Sequence, residues 1–313
     1  MHNYKGFALY VLSRLRGIME KYLTSNLVME STRIKKSAFS ENNSEFYSSE
    51  VRGGVEICRL KICDCYEGNQ SDIAPGSYIT IYTKIITGYN DSELQSISAI
   101  VADELTRLIK IHCDRKREKL NVLVVGLGNR DITSDSLGTG VVDALEVTRH
   151  IEILDKKMFL SGYSSSVCAI SCGVFGKTGI ETLEILRGLM TQISPDIIIA
   201  VDALAARGYN RLASVIQLSD TGIVPGSGIG NRREELSQKT LSVPVISIGI
   251  PTVVSAATFV CDSLGKLGIS QIDTNMDNEL EKLRSLYVTP KDCDALLRAC
   301  AHLIARSIET ALL

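Results

Sequence analysis

Three aspartates stand where acids do chemistry more readily than packing. Asp202 follows the apolar run Ile197 to Val201, and Asp220 follows the run Ala213 to Leu218 with only Ser219 between. Asp135 comes after a third run, Asn121 to Val125, and the short loop Gly126-Leu127-Gly128-Asn129 that leaves it. Each run reads as a strand, and loops beyond the carboxyl ends of strands in an open α/β sheet form its ligand crevice. Two carboxylates sharing such a site hold one proton between them, so that one acts as base towards water and the other as acid. Three acids can instead hold a divalent metal, which lowers the pKa of a bound water. A structural role is open as well. Asp135 stands at the start of a predicted helix running to Val147, and Asp202 stands before Ala203 to Arg207, so each is in place to cap a helix. Spacing alone leaves the two readings level.

Other chemistries find less support. Gly126-x-Gly128 after a strand invites a dinucleotide-binding reading, but position 131, where the third glycine of that fingerprint belongs, is Asp. Gly173 to Gly179 lacks the Gly-Lys-Ser/Thr ending of a phosphate loop. A serine or cysteine nucleophile needs a base. Of the four histidines, His2 and His302 lie near the chain ends, and His112 and His150 follow predicted helices. The nine cysteines are scattered without zinc-ribbon spacing, and no secretory signal pattern is read, so reduced thiols in a cytosolic compartment are expected. A net charge of -2 argues against direct nucleic-acid binding and against an anionic membrane surface. Phe7 to Met19 is apolar but broken by Arg14 and Arg16, which suits an amphipathic helix better than a membrane span.

These residues must be positioned by alternating elements. Val55 to Ile62 and Ser77 to Ile86 read as strands; Asn90 caps a helix with Glu93 three residues on, and Leu94, Ile97, Ile100, Val101, Leu105 and Ile109 recur at helical spacing. Further helices are predicted over Ile180 to Ile193, from Pro251 to about Leu264, and over Asp292 to Leu312, with a strand over Val245 to Ile248. Strands alternating with helices imply an α/β fold with a mostly parallel sheet. Residues 1–50 differ: an amphipathic stretch joined to the polar run Ser37 to Glu50 reads as an N-terminal appendage, followed by a main domain over residues 51–313.

The chain resembles the germination protease family, the spore proteases that start degradation of small acid-soluble spore proteins. The resemblance rests on Val125-Gly-Leu-Gly-Asn129, Asp135-Ser-Leu-Gly138, Gly176-Lys-Thr-Gly-Ile-Glu-Thr182 and Pro195-Asp196. It continues in Asp202-Ala-Leu-Ala-Ala-Arg207, Gln217-Leu-Ser-Asp-Thr-Gly222, Pro225-Gly-Ser-Gly-Ile-Gly-Asn231 and Pro251-Thr-Val-Val254. It implies a three-layer sandwich like that of the hydrogenase-maturation proteases, and catalytic roles for Asp135 and Asp202. It also implies a zymogen with a self-removed propeptide, a homotetramer in the cytoplasm of the forespore and spore core, and cleavage after Glu with an apolar residue and then Ala following. No cofactor is required by it, and it leaves room for a divalent metal whose ligands it does not name.

Around those two acids, the expected substrate-binding or oxyanion groups are Arg207, Asp220 and the backbone of Gly226, Gly228 and Gly230. Glu45-Phe46 is the expected self-processing bond. The sequence departs from the family pattern at Ser134, Thr139 and Ser255, where Pro, Pro and Asp are usual, and the early Arg-Thr-Asp-Leu-Ala element is not recognised. Ser255 and the N-terminus keep open a non-catalytic α/β binding protein; a metalloenzyme-maturation protease would want a histidine among the acids.

Overall fold

In the computed structural model, which describes residues 22–30, 47–63, 73–113, 119–227, 233–269 and 273–313, the strands join in one nine-stranded sheet. They are β1 (Tyr47–Arg52), β2 (Val55–Ile62), β3 (Gly76–Tyr82), β4 (Leu120–Gly126), β5 (Ser165–Ser171), β6 (Ile197–Ala205), β7 (Val215–Ser219), β8 (Val245–Ser255) and β9 (Tyr287–Val288). Their order is β1-β2-β3-β7-β8-β6-β4-β5, with β9 added against β8. The half containing β5, β4, β6 and β8 is parallel; from β8 through β7, β3 and β2 to β1 every pairing is antiparallel. The parallel character expected of the whole sheet therefore holds for the half that carries the acids. The other half starts with a hairpin at Gly53-Gly54, whose φ angles of 58° and 79° suit a two-residue turn, and such a turn forces antiparallel pairing.

Helices cover both faces of the parallel half. The main helices are α1 (Asp91–His112), α2 (Leu137–Ala144), α3 (Thr182–Ile193), α4 (Ala256–Lys266), α5 (Thr274–Leu283) and α6 (Cys293–Leu312). Successive side chains of a strand point to opposite faces. In β4, Val122 and Val124 enter the core under α1, α2 and α6, while Leu123 and Val125 enter the one under α3. Ile197 and Ile199 of β6 join the first core, and Ile198 and Ala200 the second. This double burial explains the unbroken apolar runs and gives the three-layer sandwich; each fully buried aliphatic side chain contributes about 1.5–3 kcal/mol over exposure. The predicted capping box is present: Asn90 Oδ1 accepts from Glu93 N, and Glu93 accepts from Asn90 N.

Several boundaries differ from the sequence reading. β6 continues past Asp202 to Ala205, so Ala203 to Ala205 is strand and not a helix for Asp202 to cap. β8 continues through Pro251 to Ser255, and α4 begins only at Ala256. Proline is tolerated in this strand because the register slips there: Leu204 pairs with Pro251 and Ala205 with Val253, leaving Thr252 in a bulge. The edge strands β1 and β5 were not anticipated, the first because Tyr47 to Glu50 lies in the polar run.

The division at residue 50 does not set residues 22–30 apart. Tyr22 is buried with Ala257, Cys261 and Leu280; Leu27 is buried with Leu204, Leu212 and Val254; Val28 is buried with Leu60 and Tyr78. Gln217 ties this segment to β7, its Oε1 accepting from Val28 N and its Nε2 donating to Asn26 O. Glu45 and Phe46, the expected processing site, lie outside the described residues, as do Gly228 and Gly230.

Candidate active site

Asp202 projects from the middle of β6, where the strand passes from the sheet's interior towards its carboxyl edge. It is only 6% exposed, and Oδ1 accepts a hydrogen bond from Ala203 N at 2.9 Å. Burial, then the neighbouring Asp135 carboxylate, push its pKa up to about 8 against the opposing Ala203 hydrogen bond. Asp135 closes a single turn, Thr133–Asp135, before α2. Its Oδ2 accepts from Asn129 N at 2.7 Å, and burial raises its pKa despite that bond. Neither acid caps a helix: Ser136, not Asp135, precedes α2, and Asp202 lies within a strand. Both line one cavity of about 270 Å3 with Asn26, Ser134, Gly226, Ser227, Thr252 and Tyr287.

The glycines and the bulge explain how the pair is assembled. A Cβ on Gly128, whose φ is 97°, would lie 2.0 Å from Asp135 O, so the loop folds back on itself only with glycine there. A Cβ on Gly138 would lie 2.3 Å from Val201 O and 2.4 Å from Leu127 N, so glycine lets α2 sit directly on the ends of β4 and β6. The Gly126-x-Gly128 pattern thus marks a close backbone approach, not a nucleotide. The bulge turns Thr252 towards this turn, and its hydroxyl donates to Ser134 O at 2.6 Å. Local chain geometry brings Asp135 to β4; β6 and β8 hold it against Asp202.

The other expected site residues separate into those inside the cleft and those outside it. Gly226, with φ of 71°, lines it. Arg207 does not: its guanidinium is 3.3 Å from Asp262, its surface ion-pair role, and its backbone N donates to Glu30 at 2.6 Å. Asp220 does not either. β7 runs antiparallel to β8, with Gln217 opposite Gly249 and Ser219 opposite Ser247, whereas Asp202 lies beside Gly249 from the parallel side. The carboxyl end of β7 is therefore at the opposite edge of the sheet. There Asp220 Oδ1 accepts from Ser77 N at 2.6 Å and Oδ2 is 3.1 Å from His112 Nε2. Burial acts to raise the Asp220 pKa and is outweighed by the His112 and Ser77 hydrogen bonds, which leave it below the usual value.

Asn26 is the cleft residue that sequence reasoning missed. It lies 179 residues from Ala205, whose N–H it accepts at 2.8 Å. The signal available was Ser25-Asn26-Leu27-Val28, a hydroxyl, an Asx residue, leucine and a small apolar residue in the order of the family's Thr-Asp-Leu-Ala. A catalytic metal usually takes three protein ligands. Among the described residues no group of three His, Cys, Asp or Glu side chains converges. The cleft offers two carboxylates, fewer protein ligands than a catalytic zinc site takes.

A family profile described as germination protease matches residues 23–284. This chain belongs to the germination protease family. Germination proteases of Clostridium acetobutylicum and Clostridium tetani are 43% and 38% identical to it, over 76% and 88% of this chain and 78% and 92% of theirs. The Oceanobacillus iheyensis germination protease is 45% identical over 61% of this chain. Among solved structures, the [NiFe] hydrogenase maturation protease HycI of Thermococcus kodakarensis aligns with 66% of this chain and 98% of its own at 14% identity, with a TM-score of 0.33. Nothing is inferred from a likeness of that size. The family makes the chain a hydrolase of the endopeptidase class. The family match begins inside the Tyr22–Glu30 segment, in keeping with its packing on the body. Ser255, where the family usually has Asp, pairs with Tyr287 and stands outside the cleft lining. No helix among the described residues is long and apolar enough to cross a membrane.

Proposed function

We propose that this chain cleaves small acid-soluble spore proteins after Glu, using a water molecule activated by Asp135 and Asp202. The observation that carries the reading is the pair itself: two neighbouring carboxylates, one of them fully buried with a pKa pushed to about 8 and no cation in the cleft lining. In this reading Asp202, held up by burial and by the Asp135 carboxylate, carries the shared proton, and Asp135 is the base. Asp135 takes a proton from water as the oxygen attacks the scissile carbonyl; Asp202 gives its proton to the departing amine. The products are a new carboxyl and a new amino terminus. No covalent enzyme intermediate forms, and no step uses a metal. Apolar walls from Ile132, Leu204, Ile223, Val224 and Val253 suit an apolar residue beside the scissile bond.

The same reading includes a homotetramer, an inactive precursor and self-processing at Glu45-Phe46, in the cytoplasm of the forespore and spore core. Tyr22–Glu30 stays seated after such a cut through its buried side chains and hydrogen bonds. The test is incubation of the purified chain, and of its Asp202→Asn variant, with a small acid-soluble spore protein. Mass spectrometry should find cuts after Glu with the wild type alone, and a new N-terminus at Phe46 on the active chain. Equal degradation by the variant would discard the two-carboxylate mechanism.

A further inference from the structure

A glutamate side chain settles beside an apolar cleft only with a cation to meet its charge, and the cavity lining holds none. Strand alternation says where to look for one. Ile198 and Ala200 enter the core under α3, so Asp202, two residues further on, faces the same layer. The chain between Ile223 and Leu236 leaves that core and returns to it: Ile223 N donates to Leu236 O at 2.9 Å, and Leu236 N to Ile223 O at 2.8 Å. On its outward limb Val224 and Gly226 line the cavity. Arg233 stands on the returning limb, and its N–H donates to Pro225 O at 3.2 Å. That bond fastens Arg233 to the residue before Gly226.

The other basic side chains of the loops at this edge are occupied or turned away. Arg130 gives both terminal nitrogens to Asp143, and Lys177 is paired with Asp131. Arg207 turns to Asp262, and Arg211 lies over the Tyr82 ring. Arg298 and His302 stand on α6, which covers the sheet's other face. Arg233 differs. Its guanidinium carbon lies 4.9 Å from the centre of the Phe175 ring, and Nη1 is 3.4 Å from Glu181 Oε1. Among the described residues, its Nε and Nη2 donate to none. Stacking on a ring fixes the plane of a guanidinium and leaves its edge free for a two-point contact with a carboxylate. The Arg233 side chain is 31% exposed, so a ligand can reach that edge.

We propose that the Arg233 guanidinium receives the carboxylate of the glutamate preceding the scissile bond and so sets the preference for that residue. The proposal rests on the reading above that this chain cuts after Glu. The fork of Nε and Nη2 takes the two carboxylate oxygens in parallel. A glutamine of the same shape offers one acceptor oxygen and turns donors towards the second N–H. Phe175 and Glu181 hold the side chain in place before the peptide arrives, so less freedom is lost on binding. Arg233 binds substrate and moves no proton.

The experiment measures kcat/KM for two fluorogenic peptides that differ only in Glu or Gln before an apolar residue and Ala. It compares wild type, Arg233→Met, Arg233→Lys and Glu181→Gln, each after the same activating incubation, with circular dichroism to verify folding. Wild type should prefer the Glu peptide. Arg233→Met, which keeps an unbranched apolar stem, should lower the Glu-to-Gln ratio by roughly tenfold to a hundredfold, the worth of a hydrogen bond to a charged group. Arg233→Lys should retain part of the ratio, because it keeps the charge without the fork. Glu181→Gln should keep most of it. A purely structural tie between Arg233 and Glu181 predicts otherwise: either variant slows both peptides and leaves the ratio at its wild-type value. An unchanged ratio in Arg233→Met, with a wild type that prefers Glu, overturns the role of Arg233 and leaves the peptidase reading standing. Should Arg233→Met fail to fold, a wild-type ratio in Arg233→Lys overturns it equally. A wild type that cuts both peptides alike overturns the preference for Glu and the proposal with it. One that cuts neither the peptides nor a spore protein overturns the peptidase reading itself.

Discussion

Asp202 and Asp220 look alike in the sequence and are opposites in the fold. Each comes off an apolar run that forms a central strand, and each is largely buried. Asp202 has a second carboxylate for a neighbour and no cation, so its pKa rises. Asp220 has His112 and the Ser77 N–H, which overcome its burial and lower its pKa. The first is kept protonated and costs the fold stability when it ionises; the second is kept ionised and ties β7, β3 and the end of α1 together. Two buried acids thus do different work because one strand runs with β8 and the other against it.

The largest expected effect separates them by activity. Asp202→Asn and Asp135→Asn should each cut kcat by about 10²-fold or more, the range for removing a general acid or base, with secondary structure unchanged by circular dichroism. Asp220→Asn should leave kcat within about threefold, since it acts at the far edge, while costing on the order of 1 kcal/mol in denaturant unfolding for its lost charge-assisted bond. Comparable kcat losses at both positions would erase the distinction.

Geometry comes next. Gly128→Ala places a Cβ against Asp135 O and asks alanine for a positive φ. It should displace the turn that carries Asp135 and, in the proposed chemistry, reduce kcat roughly 10²-fold in whatever folded protein is recovered.

A pH series of urea melts tests the opposite signs. The Asp202 pKa is raised in the fold, so its stabilising contribution is complete below the ordinary carboxylate range and is lost as pH rises through about 8. Wild type should therefore lose stability, on the order of a few kcal/mol, between about pH 4 and 8, and Asp202→Asn should lose less, keeping only the decline that the raised Asp135 pKa contributes. The Asp220 pKa is lowered, so its contribution is present above the ordinary range and is lost as pH falls through its folded value. Asp220→Asn should flatten the acid limb alone. In the proposed chemistry, kcat should also fall on the alkaline side as the Asp202 proton is lost, giving one limb of a bell.

The smallest effect belongs to the bulge. Thr252→Val keeps the side-chain shape but removes the bond to Ser134 O. A loss of about 1 kcal/mol in stability and a few-fold lower kcat are expected, measured by urea melts and steady-state kinetics. An unchanged kcat would mean that the turn holds Asp135 without β8.

Much of this was legible in the chain. The apolar runs at 121–125 and 197–201 announced strands covered on both faces, and Asn90 with Glu93 announced the start of α1. Asp135 and Asp202 were legible as a pair through their motifs. What was misread had local causes. Pro251 signalled a helix because its missing N–H is harmless in a first turn, whereas here a bulge absorbs the defect within β8. Tyr47 to Glu50 looked like linker because an edge strand exposed to solvent carries polar residues. Asp220 was grouped with Asp202 because an apolar run followed by an acid reads the same in either strand direction.

The sequence by itself determined the alternation of strands and helices, the glycines at 128 and 138 that allow close approach, and the family to which the chain belongs. Periodicity and steric demand are properties of neighbouring residues, so they survive without the fold. Only the tertiary structure decided that Asp202 meets Asp135 and that Asp220 meets His112, and only it carried Asn26 to Ala205 and Ser227. Strand direction is set by hydrogen-bond pairing between segments far apart in the chain. A pKa follows from the burial and charges those pairings enclose, and neither is written in any local stretch of residues.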